Sequence, residues 1–199
     1  MRNSTQKNLT AIVLLAASSS VFAHTGHTIS DFSSGLMHPF SGLEHLLAML
    51  AVGLWAAQSY KCSWGSGRKL WLLPAAFMVT LVAGSRIAMQ WQALPLVESG
   101  IAASVLALGL LIALSMRLPV MISVAVTALF GLLHGYAHGL ELSQSAAPVT
   151  YALGFLAATA VLLLGGVALG ISASNRYAIL AKSLGITIAA SGAWMLATG

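Results

Sequence analysis

Polar positions in this chain come in bunches, and between them run six apolar stretches: Gly42 to Tyr60, Leu70 to Gln90, Ser99 to Met116, Val120 to Gly139, Val149 to Ser172 and Ala178 to Ala197. A helix rises about 1.5 Å per residue, so each run is long enough to cross roughly 30 Å of hydrocarbon. The connections between runs are short. The pattern therefore predicts an all-α fold, a polytopic bundle of six transmembrane helices in a single domain over residues 24–199, with no soluble domain. Ahead of the first run, Arg2 and Lys7 precede an apolar segment from Leu9 to Ala17, and small residues lead to Val21-Phe22-Ala23. That segment falls short of the roughly 20 residues a span requires, so residues 1–23 are expected to be a signal peptide cleaved after Ala23. The mature chain would then start at His24, with the sequence HTGH.

Composition sharpens this picture. The 199 residues are 58% hydrophobic and 7% charged, where soluble domains carry about 25% charged residues. Membrane lipid is thus an expected partner. The net charge of +5 comes from basic residues scattered singly, with no interleaved basic and aromatic patch, so nucleic acid is not expected. Cys62 is the lone cysteine, which excludes an internal disulfide and a CxxC motif. No P-loop is present, so ATP does not drive the chain directly.

Basic residues mark orientation, because they are retained on the cytoplasmic side. Lys61, Arg68 and Lys69 fall in the first loop, Arg117 in the third, and Arg176 with Lys182 around the fifth, whereas the second and fourth loops have none. Both mature termini are therefore expected outside the cytoplasmic membrane. On that map all four acidic residues (Asp31, Glu44, Glu98, Glu141) and all six histidines (His24, His27, His38, His45, His134, His138) lie in outer segments or outer helix halves. The positive-inside rule says nothing about histidine, so the segregation needs another cause.

Two motifs carry the candidate chemistry. In HPFSGLEHLLAM, Pro39 suits a first helical turn, which would put His38 at the cap of the helix bearing His45. His38, Gly42, His45 and Met49 then share one face, with Glu44 about 100° around from His45. In FGLLHGYAHGLEL, His134, His138 and Glu141 share a face beside the row of Gly131, Gly135 and Gly139. Imidazole and carboxylate in a low-dielectric setting are costly unless paired, hydrated or bound to a cation. The first span enters from outside and the fourth exits there, so both motifs reach one level, where Glu98 also begins the third span. Donors of this kind suit nickel, cobalt, copper or zinc, and Met49 adds a softer one. The candidate metal ligands are His38, Glu44, His45, Met49, Glu98, His134, His138 and Glu141. Arg86, in the outer part of the second span, reads as a structural counterion for Glu98 or Glu141 or as a side chain that snorkels outward. No catalytic residue and no prosthetic group are expected; the chain does not read as an enzyme.

These motifs, with GIAASVLALGLL, resemble the HupE/UreJ family of bacterial nickel permeases over nearly the whole mature chain. The family pattern at the first motif is HPxxGxDHxxxM, and this chain departs from it with Glu44 in the aspartate position. The resemblance implies secondary transport of nickel, with cobalt as a second ion, in support of hydrogenase or urease maturation. A membrane metal sensor and a haem-ligating redox protein, neither of them a transporter, remain the alternatives, and a homo-oligomer is left open.

Overall fold

The computed structural model describes residues 32–60, 67–90, 96–142, 147–176 and 178–199. Helices account for almost all of them: α1 (Phe32–Ser41), α2 (Leu43–Ser59), a 3-10 turn (Gly67–Trp71) leading into α3 (Leu72–Ala88), α4 (Val97–Ala113), α5 (Val120–Leu142), α6 (Pro148–Arg176) and α7 (Ala178–Thr198). Helices α2 to α7 coincide with the six apolar stretches. Four segments are long and apolar enough to cross a membrane: Gly67–Ala88, Val120–Gly139, Pro148–Ser172 and Ile179–Thr198. The α1–α2 pair makes a fifth if it counts as one span, and α4 is a shorter apolar helix. Bulky side chains on the outside, among them Val79, Met121, Ile179 and Ile186, are largely exposed, as lipid-facing residues are. The expected signal peptide, with His24, His27 and Asp31, lies outside the described residues.

Helix α1 corrects the expectation for the first motif. Pro39 does not open the helix bearing His45; it sits late in α1, and the chain bends by 81° before α2 begins. Gly42 makes the break. It takes an extended conformation (φ −94°, ψ 119°) at the N-cap of α2, where its carbonyl accepts the Leu46 N–H at 3.0 Å and starts the new helix. The Ser41 hydroxyl donates to the His38 carbonyl at 2.7 Å, where the Gly42 N–H makes a longer bond at 3.4 Å. His38 and His45 therefore belong to different helices.

Glycines set how the helices pair. In lipid there is no hydrophobic drive between helices, so backbones held close by small residues supply the packing. Along α3 and α5, Gly131 lies on Phe77, Gly135 on Leu81 and Gly139 on Ser85, so these two helices run parallel. Along α2 and α6, Gly166 meets Leu50 and Gly170 meets Leu54, again parallel. Helices α4 and α7 are antiparallel, with Leu106 on Gly192 and Ala113 beside Gly185. Short α1 lies across the start of α6, where Gly35 meets Tyr151 and Gly154 meets Phe32. The interior is filled by Met49, Val52, Trp55, Phe77, Val105, Leu108 and Ile112 with side chains of α6.

Helix α4 ends in a Schellman motif: Met116 N–H donates to the Leu111 carbonyl at 2.9 Å and Ser115 N–H to the Ile112 carbonyl at 3.0 Å. Ser115 holds the left-handed position (φ 52°), where glycine is the usual residue.

Candidate metal site

The bend at Gly42 and the meeting of the α2 start with the α5 end bring three imidazoles from three helices to one point. The ligating atoms of His38 (α1), His45 (α2) and His138 (α5) all lie within 4.8 Å of one another. Ring centroids are 4.2 Å apart for His45 and His138, 4.8 Å for His38 and His138, and 5.6 Å for His38 and His45, the last pair stacked at 24°. Three nitrogens spread evenly around one ion at about 2.1 Å stand at most roughly 3.6 Å apart, so the widest gap in the cluster must close by about 1 Å on a cation. His45 and His138 are buried and His38 is half-buried, which opens the cluster on the α1 side.

His134 stands one turn along α5, its ring 5.8 Å from that of His45 and tilted against Phe77. Its Nδ1 donates to the Phe130 carbonyl at 2.8 Å, which fixes the tautomer and leaves the lone pair on Nε2. That Nε2 and the Nδ1 of His45 are buried and have no hydrogen-bond partner in the protein. An orphaned polar atom in an apolar interior is costly, and ligand binding is one way to recover the loss. Phe155 of α6 closes another side, 4.5 Å from the His138 ring.

The HupE / UreJ protein family matches this chain over residues 12–195. A curated relative, "Protein HupE" of Rhizobium leguminosarum bv. viciae, is 37% identical over 194 residues, covering 96% of this chain and 97% of the relative. The chain belongs to the HupE/UreJ family. No solved structure matches it.

Of the acidic candidates in this HupE/UreJ chain, Glu44 stands beside the cluster, its Oε1 3.7 Å from His45 Nε2, with its side chain 23% exposed. A Cβ on Gly42 would come within 2.9 Å of both Glu44 Oε1 and His45 Cδ2, so the absent side chain leaves room for that pair. Glu98 is exposed in the first turn of α4 and is not part of the imidazole group. Met49 lies one turn below His45, fully buried in the apolar core. The Glu141 side chain lies outside the described residues. Arg86 is exposed in the last turn of α3.

Sequence reasoning missed the walls of the site, Tyr151 and Phe155, both close to the His38 ring. Only the aromatic residues among the small ones of PVTYALGF hinted at them. It also missed that His38 arrives from its own helix, although Ser41-Gly42 is a serviceable stop signal.

Proposed function

We propose that the protein is a permease that takes up nickel, with cobalt as a second ion, across the bacterial cytoplasmic membrane by secondary transport. The observation that carries this reading is the convergence of His38, His45 and His138 from three helices inside an apolar bundle. Neutral imidazoles suit a borderline divalent cation, and they bind without adding fixed charge to the membrane interior. Glu44, beside His45 and partly exposed, supplies one negative charge toward a doubly positive guest. His134 stands beneath them, its ring 5.8 Å from that of His45. Glu98 and Glu141 would gather the hydrated ion, and Met49 would meet it on the way inward.

A six-span arrangement of α2 to α7 fits the same reading. Parallel pairing of α2 with α6 and of α3 with α5, and antiparallel pairing of α4 with α7, is what helices crossing alternately would give. Loops bearing Lys and Arg then face the cytoplasm, both mature termini face the periplasm after cleavage at Ala23, and the histidines open outward. The inside-negative potential is worth about 2.3 kcal/mol per charge per 100 mV, and a divalent ion gains twice that, so uptake needs no ATP. The nickel delivered would serve hydrogenase or urease maturation.

Radioactive nickel uptake into proteoliposomes tests the reading. Wild-type protein is expected to load the vesicles, and His45→Ala to fall to the empty-vesicle level while still inserting in the membrane. Binding of nickel without uptake by the wild type would identify a sensor instead, and a haem absorption band in the purified protein would identify a redox protein.

A further inference from the structure

Serine and threonine inside these helices return their hydroxyls to the carbonyl of the preceding turn: Thr80 to Ala76, Ser85 to Leu81, Ser104 to Ile101, Thr159 to Phe155. Three do not. The hydroxyls of Ser59, Ser123 and Thr127 are buried, with residue exposures of 2%, 0% and 0%, and make no hydrogen bond in the protein. Each costs stability where it stands, since an alanine or valine of similar shape would cost nothing.

Their positions are not scattered. At 100° per residue, Ser59 falls on the side of α2 that carries His45, and Thr127 and Ser123 fall on the side of α5 that carries His134 and His138. The glycine row that packs α5 on α3 lies on the adjacent side. Helices α2 and α5 meet at the His45–His138 contact. At their other ends Gln58 donates from Nε2 to the Ile112 carbonyl at 3.2 Å and to Ser115 Oγ at 3.1 Å, in the turn that leads into α5. The two helices are therefore antiparallel. At 1.5 Å per residue, Ser59 lies about 21 Å below His45 and Ser123 about 22 Å below His138, so they share a level. Thr127 comes about 16 Å below His138.

Gln58 stands at the same level but on another side of α2, about 140° around from His45, facing α4. Both of its amide donors are used on α4 and the turn after it, which holds the carboxamide in place and leaves Oε1 buried without a partner. The serine at the left-handed position of that turn, where glycine would be easier, provides one of the two acceptors.

We propose that the facing sides of α2 and α5 line the inward path of the cation, with Thr127 as a way station and Ser59 and Ser123 as an exit site of neutral oxygens. This rests on the transport reading above. Neutral hydroxyl oxygens are harder, weaker donors for a borderline cation than imidazole, as a site that must release its ion requires. The orphaned oxygens stand in for part of the ion's water shell when it passes. Between the two levels α2 presents Met49, Val52 and Ala56, all fully buried, a dry wall that must part for the ion to descend.

The test uses the full-length chain carrying Ser59→Ala, Ser123→Ala and Thr127→Val together, with Thr127→Val alone as the milder variant should the combination insert poorly. Nickel binding to the detergent-solubilised protein, its thermal melting, and nickel uptake into proteoliposomes are measured side by side. The variants are expected to melt no lower than wild type, to bind nickel within about twofold of wild type, and to take it up at least roughly tenfold more slowly. Variant uptake equal to that of an active wild type would overturn the path and leave the transport reading standing. Loss of binding in parallel with uptake would overturn it too, because the hydroxyls would then serve the histidine cluster. Wild-type protein that binds nickel and never transports it would instead sink the transport reading.

Discussion

At the scale of single residues, the site depends on three imidazoles that touch and one carboxylate that does not quite. Glu44 Oε1 is 3.7 Å from His45 Nε2, beyond a hydrogen bond but near enough to lower the cost of a divalent ion. Glu44→Gln keeps the shape and removes the charge; nickel affinity is expected to fall about 10- to 100-fold by calorimetry, the usual cost of losing a supporting group at a metal site. Gly42→Ala is expected to weaken binding as well, because its Cβ would press on Glu44 and His45 within 2.9 Å. The two histidines of HGYAH were equally eligible as ligands by spacing. Only the fold separates them: His138 reaches the group that includes His38, while His134 is anchored by Phe130 one turn below. Spacing on one helix says nothing of the partner helix's position, which is why Glu98 could be placed at the right level in the sequence and still stand exposed at the head of α4.

At the scale of elements, hydrophobic runs located every long helix, because apolar length is what a bilayer selects for. Helix α1 escaped that reading. It is 10 residues long, too short to stand out by hydropathy, and its proline reads as a start when it lies near an end. The consequence is specific: one predicted helix face became two helices, and the 81° bend, not helical stacking, sets His38 against His45. Pairing of the long helices was foreshadowed by their glycines, although which helix each row meets was not. Gly135→Ala would set its Cβ on the Leu81 carbonyl and force α3 from α5. A loss of about 1–3 kcal/mol is expected, seen as earlier thermal unfolding in lipid or detergent, the ordinary cost of overpacking. Because α5 carries two of the histidines, the same variant is expected to lose nickel uptake beyond what the lost stability explains.

At the scale of the whole molecule, a belt of exposed apolar side chains surrounds an interior whose polar groups gather at the histidine end and again at the opposite end of α2 and α5. A doubly charged guest moving between those levels would feel the membrane potential. Setting an inside-negative potential of 100 mV across proteoliposomes supplies about 4.6 kcal/mol to a divalent ion, so nickel accumulation is expected to rise steeply with it and to collapse when the potential is dissipated. Every part of this account returns to one ion held by side chains of α1, α2 and α5 together. X-ray absorption spectroscopy of the nickel-loaded protein tests that most directly: the account expects imidazole scattering from three histidines in the wild type, reduced by one in His138→Ala. A nickel spectrum with no imidazole ligands, or one that His138→Ala leaves unchanged, would contradict it.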